Sequence, residues 1–261
     1  MWCSVGGERN PFLITSLHKI VRSKGRFGRS VVGTTDWNEA MATQGLRVSS
    51  MSLDLNGNLH DPFDGQEDLR CGQIRCENPA NTFELDYSRI LKYFRLVSEL
   101  GHGDHLWNNH ILDIVRRNKN QVRFVTGAQR WQELSAILLS NKAVDVVRKM
   151  FQVNLHNSVG LDNLTTADVG NLERVKEYSN SLNPADITVF CSLLPTMTEL
   201  DIAAKYLVLP EQKYKIGEFI INCRNNPVWK NLNDPEMYFY NLLNSQTGVT
   251  TEHVAEFFKY I

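Results

Sequence analysis

The strongest constraint on the fold of this chain is the spacing of its apolar residues after Asn78-Pro79. Between Phe83 and Leu100 they recur every three or four positions, and Gly101 ends the run. This spacing gathers them on one face, so we expect a single helix there. Similar patterns predict further helices at 106–118, 128–140, 142–152, 167–181, 185–194, 198–208, 211–224, 234–244 and 250–260. The chain beyond residue 80 is therefore expected to be helical throughout.

The first 75 residues show a different pattern. Alternating apolar residues between positions 11 and 37 predict two strands, with a turn at Lys24-Gly25. Asp36 can N-cap a short helix that runs to residue 44, and Asn56-Gly57 is typical of a tight hairpin turn. A mixed α and β segment followed by helices places the chain in the α+β class.

Composition narrows the class of protein. The 261 residues suffice for one or two domains, and 28 Lys and Arg against 29 Asp and Glu give a net charge of -1. Any RNA site must then be a local basic patch. Five scattered cysteines without a C-x-x-C pair indicate reduced thiols in an intracellular protein, and no apolar run approaches the roughly 20 residues that cross a membrane. We expect a soluble protein.

The basic segment 1–31 has two readings that bear on the compartment. It is compatible with a mitochondrial transit peptide or with the solvated face of a hairpin, and the strand-like alternation of its apolar residues favours the hairpin. The expected location is therefore mitochondrial, cytoplasmic or both.

Three blocks carry the functional information, and the first is the loop that begins at Asp61-Pro62. Asp-Pro starts a turn, Gly65 permits an unusual backbone angle, and Glu67 and Asp68 lie close enough to cap the next element. Taken alone, this block predicts only a polar loop.

The second block is the polar side of the run from 83 to 95. On a helix, Asp86, Arg89 and Lys92 are three residues apart and drift slowly around one side, and Arg95 follows after three more. A carboxylate and a guanidinium on one face can read the edge of a nucleobase. The same spacing is also that of an ordinary surface ion pair.

The third block spans 125–134 and opens a helix at Gly127. Around it the chain is rich in basic residues, with Trp107 and Trp131 nearby. Such a composition suits contact with the phosphates of RNA, although a solvated helix face beside core tryptophans would look the same. The residues of this predicted RNA patch are Arg116, Arg117, Lys119, Arg123 and Arg130.

In this order the three blocks resemble the class II tRNA nucleotidyltransferases, the CCA-adding enzymes, over about residues 11–260 and most closely their animal mitochondrial form. The resemblance implies a nucleotidyltransferase-type mixed β-sheet head, present here in part, followed by an all-α neck and body. We expect the partial head at 1–76, the nucleotide-templating neck at 77–140 and the body at 141–261. Asp61, Gly65 and Asp68 would belong to the hinge loop between head and neck.

The resemblance also assigns roles to the second block, which is similar to the family's E-D-x-x-R-x-x-R-x-x-R helix. Asp86 and Arg89 occupy the positions that select CTP and ATP. Lys92 replaces the second arginine and loses its bidentate fork, whereas Arg95 keeps the third, which contacts nucleotide phosphates. Leu85 stands where the family has a glutamate that supports the pair.

The catalytic motifs of the family are not matched. The family holds Mg²⁺ on G-G-x-x-R-D and D-x-D segments, of which 5–10 gives only a faint echo, and the R-R-D-x-T-x-N motif falls on the dissimilar stretch 43–49. We therefore name no catalytic residue and no metal ligand, and leave open whether the chain is an enzyme.

The resemblance implies addition of the 3′-terminal CCA to tRNA from CTP and ATP, with Mg²⁺ as the family's metal. The alternatives are a catalytically inactive RNA-binding relative and a helical module that binds protein. The expected partners are tRNA, the two nucleotides and no membrane, with a homodimer or an association with an intact family enzyme as further possibilities.

Overall fold

The computed structural model describes residues 2–3, 12–13, 17–22, 29–103, 106–166, 168–225, 235–245 and 248–261. The strands lie at the start of the chain and form two-stranded antiparallel sheets. They are β1 (Trp2–Cys3), β2 (Phe12–Leu13), β3 (His18–Arg22), β4 (Arg29–Gly33), β5 (Ser52–Leu53) and β6 (Leu59–His60). Among the described residues no sheet has more than two strands.

The two predicted hairpins are confirmed. Strands β3 and β4 pair with Ile20 opposite Val31, although the predicted turn at Lys24-Gly25 lies outside the described residues. Strands β5 and β6 flank Asn56-Gly57, where Gly57 has a φ of 85° that glycine adopts without strain.

Helices make up the rest, as the apolar spacing predicted. The helices before residue 101 are α1 (Trp37–Ala42), α2 (Gly65–Cys71), α3 (Pro79–Leu85) and α4 (Ser88–Leu100). The later ones are α5 (Asn109–Asn118), α6 (Gly127–Leu139), α7 (Ala143–Gln152), α8 (Val169–Ser179), α9 (Asp186–Cys191), α10 (Met197–Leu207), α11 (Glu211–Asn225), α12 (Pro235–Asn244) and α13 (Thr251–Tyr260). The α+β class is confirmed.

Capping residues explain several helix starts. Asp36, Asn78, Asn108 and Thr126 each accept a hydrogen bond from a backbone N–H in the first turn of α1, α3, α5 and α6, respectively. These N–H groups have no partner inside the helix, so the caps fix where each helix begins.

The single helix predicted from Phe83 to Leu100 is wrong at one point. Helix α3 ends at Leu85, Asp86 is extended with φ -155° and ψ 104°, and α4 begins at Ser88. The apolar spacing continues through this break because residues on both sides pack into one core. Asp86 therefore stands in a turn between two helices.

The core that supports this turn lies between α4, α6, α9 and α11. Tyr93 and Phe94 of α4 are fully buried and meet edge to face, with ring centroids 5.6 Å apart. Trp131 of α6 packs on Phe190 of α9 at 5.3 Å. The first contact lies within α4 and the second joins α6 to α9, while α4 and α6 also pack directly against each other. No helix in the described ranges is both long and apolar enough to span a bilayer.

Candidate nucleotide and RNA site

The loop before α2 is held by Asp61. Its carboxylate accepts hydrogen bonds from the N–H of Gly65 at 2.7 Å and of Gln66 at 2.9 Å, which caps the helix. Burial opposes ionisation of Asp61, but these hydrogen bonds outweigh it and lower its pKa. A Cβ on Gly65 would lie 2.7 Å from the carbonyl oxygen of Arg47, so glycine permits a close approach of two backbones.

Asp68 is the buried centre of the same region. Its side chain is fully buried, accepts from the N–H of Arg75 at 2.9 Å and lies 3.4 Å from the Arg75 guanidinium and 3.9 Å from that of Arg47. Arg47 also pairs with Glu77 at 2.7 Å. Burial raises the pKa of Asp68 against the opposing effect of the two arginines. This cluster joins the segment before β5 to the segment that leads into α3.

Asp86 is fixed in the turn between α3 and α4 by Ser88. One carboxylate oxygen of Asp86 accepts from the N–H of Ser88 at 3.0 Å and from its hydroxyl at 2.7 Å. These two hydrogen bonds orient the carboxylate of Asp86 in the turn.

Arg89 lies in the first turn of α4 and points into the protein. Its side chain is buried, and its guanidinium donates to the carbonyl oxygens of Thr82, at 3.2 Å, and of Thr43. Gly45 is packed directly against it, because a Cβ there would lie 2.8 Å from the Arg89 guanidinium. Arg89 therefore ties α4 to the end of α3 and to the residue that follows α1.

Lys92 and Arg95 continue along α4 toward α6. Burial and the neighbouring charge of Arg95 lower the pKa of Lys92. Arg95 donates to Glu133 of α6 at 2.6 Å and to Glu99 at 2.7 Å. Burial would lower the pKa of Arg95, but the bonded carboxylate of Glu133 outweighs it and raises the pKa. In this arrangement Arg95 bridges two helices.

A cleft of about 330 Å³ opens beside Asp86. One wall is the turn from Glu84 to Ser88, and the other is the segment 124–129, where a 3₁₀ helix (Lys119–Phe124) leads into α6. Asp86 faces this cleft, whereas the guanidinium of Arg89 is bonded to Thr43 and Thr82. The two predicted nucleotide-selecting residues are only three positions apart, but the side chain of Asp86 lines the cleft and the guanidinium of Arg89 is bonded inside the protein.

The predicted RNA patch separates into an exposed part and a buried residue. Arg116, Arg117 and Arg123 are exposed, and Lys119 is partly buried. Arg116 pairs with Asp113 across one helical turn. These four cations lie at the end of α5 and in the following 3₁₀ helix, and the three exposed ones are the accessible part of the predicted patch.

Arg130 does not belong to that surface. It is 7% exposed, its guanidinium lies 3.9 Å from the centroid of the Tyr206 ring, and it donates to the Tyr206 carbonyl oxygen at 2.6 Å. The cation–π contact and the hydrogen bond fasten α6 to the end of α10.

Sequence reasoning missed several residues that shape these sites. Gly45 has a φ of 80°, which a glycine between two helical patterns could have suggested. Arg47 lies in the stretch 43–49 that departs from the family motif, and its position beside Asp68 had no local signal. Phe124 and Gln129 line the cleft although the periodicity assigned neither to a site.

Metal ligands are a separate question. Within the described parts of the chain no group of three or more His, Cys, Asp or Glu side chains is placed to hold a metal ion. Cys71, Cys76, Cys191 and Cys223 are free thiols, and burial raises the pKa of Cys76 and Cys191 to about 12.

Comparison with known proteins places these observations in a family context. The chain is 27% identical over 252 residues to the CCA tRNA nucleotidyltransferase 1, mitochondrial, of Danio rerio, which covers 95% of this chain and 58% of the relative. It is 28% identical over 257 residues to the Homo sapiens protein of the same name, covering 95% and 57%. The chain thus spans less than two thirds of these relatives. No protein-family model matches it.

Solved structures show the same fold. The Bacillus stearothermophilus CCA-adding enzyme in complex with CTP superposes with a TM-score of 0.72 at 16% identity, covering 98% of this chain and 62% of the other. The Thermotoga maritima CCA-adding enzyme complexed with tRNA gives 0.58 at 17% identity, covering 93% and 64%. The resemblance drawn from the three sequence blocks is confirmed.

Proposed function

We propose that this chain, a relative of the CCA tRNA nucleotidyltransferases, acts at the 3′ end of tRNA in the addition of CCA from CTP and ATP. The observation that carries the proposal is Asp86, held by Ser88 at the edge of a cleft of about 330 Å³. The named activity of the relatives supports it, as does the fold shared with enzymes solved with CTP and with tRNA.

The parts of the chain would divide this work. We propose 1–76 as a partial head, 77–140 as the neck that selects the nucleotide and 141–261 as the body. In the neck, Asp86 accepts from the exocyclic amine of cytosine or adenine. Arg89 takes part only after its guanidinium leaves the carbonyls of Thr43 and Thr82, and Arg95 reaches a phosphate only after it leaves Glu133.

Two further assignments follow from the same relatives. Asp61, Gly65 and Asp68 form the joint on which head and neck are set, because Asp61 caps α2 and Asp68 is bonded to Arg75. The names of the animal relatives support a mitochondrial location. We also propose association with a second copy of the chain or with an intact family enzyme.

Mg²⁺ does not fit the described residues. Nucleotidyl transfer requires carboxylates that hold the metal near the attacking hydroxyl. Asp86, which lines the cleft, is bonded to Ser88, and Asp68, which lies outside the cleft, is buried among arginines. We therefore derive no step through the metal.

The proposed contact with tRNA is tested by the salt dependence of tRNA binding. The exposed cations Arg116, Arg117 and Arg123, with Lys119, would bind the phosphates of tRNA. Each phosphate contact contributes about 0.9 to the slope of log affinity against log salt for a duplex. We expect the double variant Arg116→Ala, Arg117→Ala to lower this slope by about 1–2 and to weaken binding to all tRNA sequences alike.

The control is Arg148→Ala with Arg174→Ala, which removes a partly exposed cation on α7 and an exposed one on α8. A salt slope that falls equally in both double variants would contradict a localised patch. Failure of the unchanged chain to bind tRNA in a salt-dependent manner would contradict the proposed function itself.

The second candidate function is a noncatalytic RNA-binding relative. The observation that favours it is the burial of Arg89, whose guanidinium serves as a structural tie. Such a protein would bind tRNA as above without extending it, so a transfer assay distinguishes the two candidates.

A further inference from the structure

A second cleft, of about 530 Å³, opens beside the ends of α8 and α13. Tyr178 of α8, Leu182 and Phe258 of α13 form apolar walls of this cleft, and these residues are 71%, 51% and 44% exposed, respectively. Single exposed apolar residues are common on protein surfaces, but a group of them around one concavity is typical of an interaction site. We call this cleft the α8–α13 groove.

The walls of the α8–α13 groove are fixed by the core beneath them. The Phe258 ring meets the Phe239 ring of α12 edge to face, with centroids 5.1 Å apart. Val175, which lies one turn before Tyr178, is 2% exposed and belongs to the main core. Helices α8 and α13 also pack directly against each other. The groove is therefore preformed, as sites for ligands usually are.

The charged side chains that line the α8–α13 groove are the cations Arg174, Arg224 and Lys259. Arg224 donates to the carbonyl oxygen of Leu194 at 2.6 Å, and Lys259 donates to the carboxylate of Glu256 at 2.6 Å. Arg174 is exposed and makes no hydrogen bond or ion pair with the residues that the structure describes. Its guanidinium is therefore available to an anion from outside the chain.

Tyr260 adds a buried donor to the same groove. It is 7% exposed, and its hydroxyl oxygen accepts from the Arg224 guanidinium at 3.0 Å. A hydroxyl that accepts through one lone pair keeps its own hydrogen to donate, and no described residue accepts that hydrogen. The free polar groups of Arg174 and Tyr260 are both donors, and an ionised carboxylate accepts from both kinds.

A protein segment fits this groove better than RNA does. An RNA strand places phosphates at regular intervals and is bound through several cations, whereas Arg174 is the one lining cation that has no partner among the described residues. Leu182 forms an aliphatic wall that has no ring for a base to stack on. An acidic residue beside a large apolar residue matches both the charge and the walls.

We propose that the α8–α13 groove binds a short segment of a partner protein in which an aspartate or glutamate adjoins a large apolar side chain. The carboxylate pairs with Arg174, and the apolar side chain packs between Tyr178 and Phe258. The groove is separate from the cleft beside Asp86 and from the basic residues 116–123. The proposal therefore goes beyond the proposed function and does not depend on it.

The test is the binding of short fluorescent peptides to the purified chain, measured by anisotropy. Each peptide carries one glutamate next to leucine, phenylalanine, tyrosine or tryptophan, and each has a matched peptide with glutamine in place of the glutamate. We expect the glutamate peptides to bind about 2- to 5-fold more tightly than their matched peptides, the range of an exposed ion pair, and Arg174→Ala to abolish this difference. Tyr178→Ala should weaken the tightest peptide by at least about fivefold, as expected for an aromatic residue at the centre of an interface.

Two control variants separate the groove from general effects of charge and aromatic surface. Tyr240→Ala removes an aromatic side chain of α12 that is 62% exposed and does not line the groove. Arg116→Ala removes an exposed cation of the proposed tRNA surface. Both should leave peptide binding unchanged, and circular dichroism spectra check that every variant is folded.

The outcomes distinguish this proposal from the proposed function. Absence of binding by every peptide, or equal peptide binding by the unchanged chain, Arg174→Ala and Tyr178→Ala, would overturn the groove even if tRNA is bound and extended. Loss of tRNA binding in these two variants would assign the groove to RNA and would also overturn the proposal. Groove-dependent peptide binding by a chain that neither binds nor extends tRNA would support the groove and contradict the proposed function.

Discussion

Replacing Gly45 should separate the contribution of the buried Arg89 from that of the backbone. Gly45 has a φ of 80°, and an added Cβ would lie 2.7 Å from the Thr82 methyl carbon and 2.8 Å from the Arg89 guanidinium. An L-residue in this conformation costs about 1–2 kcal/mol. Displacing Arg89 removes charged hydrogen bonds to two carbonyls and costs about 1.5–3 kcal/mol more.

Gly45→Ala is therefore expected to lower the free energy of unfolding by about 3–5 kcal/mol. Urea denaturation followed by circular dichroism measures the change. Two glycines serve as controls. Gly57 has a φ of 85° but nothing within 4 Å of an added Cβ, so Gly57→Ala isolates the backbone cost of about 1–2 kcal/mol. Gly170 is the second residue of α8 and has open space around it, so Gly170→Ala should not destabilise and should stabilise by at most about 0.5–1 kcal/mol.

The comparison between Gly45→Ala and Gly57→Ala decides whether the hydrogen bonds of Arg89 stabilise the protein. If Gly45→Ala costs no more than Gly57→Ala, the tie between Arg89 and the segment after α1 does not stabilise the protein. The structural role assigned to Arg89 would then be refuted.

Two further predictions concern charged groups in the helical part. Glu133→Gln should lower the free energy of unfolding by about 1–2 kcal/mol, because the half-buried Arg95 loses its anionic partner. The control Glu99→Gln should change it by less than about 0.5 kcal/mol. Equal losses of the two variants in urea denaturation would contradict this prediction. Burial opposes ionisation of Glu256, but hydrogen bonds from Lys259, Thr188 and a backbone N–H outweigh it and lower its pKa. A lowered folded pKa gives stability that is present above the ordinary glutamate pKa of about 4.3 and is lost as the pH falls through the folded value. Glu256→Gln should thus reduce the loss of stability as the pH falls below about 4.3, and an unchanged acid profile would count against the assignment.

The helices were predictable because their signals are local. Apolar spacing and caps such as Asn108 and Thr126 set the start of α5 and α6 within a few residues. The break at Asp86 was not, since a short turn between two helices that share one core leaves the apolar spacing intact. Only the hydrogen bonds from Ser88 identify it.

For the site residues, too, local sequence patterns do not reveal the contacts that each side chain makes in the fold. Arg130 stands in a basic stretch, so composition placed it on the RNA surface, yet its partner Tyr206 is 76 residues away. The role of Arg89 likewise depends on its hydrogen bond to the carbonyl of Thr43, 46 residues away. Motif spacing identified which residues matter, and tertiary packing decided what each of them contacts.

Nucleotide transfer at one-nucleotide resolution tests the central claim most directly. The purified chain is incubated with tRNA that lacks its 3′ CCA, with Mg²⁺, CTP and ATP, and the products are separated by length. The account predicts extension from CTP and ATP but not from UTP, which requires carboxylates beyond those that the described residues offer to Mg²⁺. It also predicts loss of selectivity in Asp86→Asn, which keeps an acceptor for Ser88 but loses the charge. A folded chain that binds this tRNA and never extends it would contradict the proposed transfer and leave the noncatalytic relative.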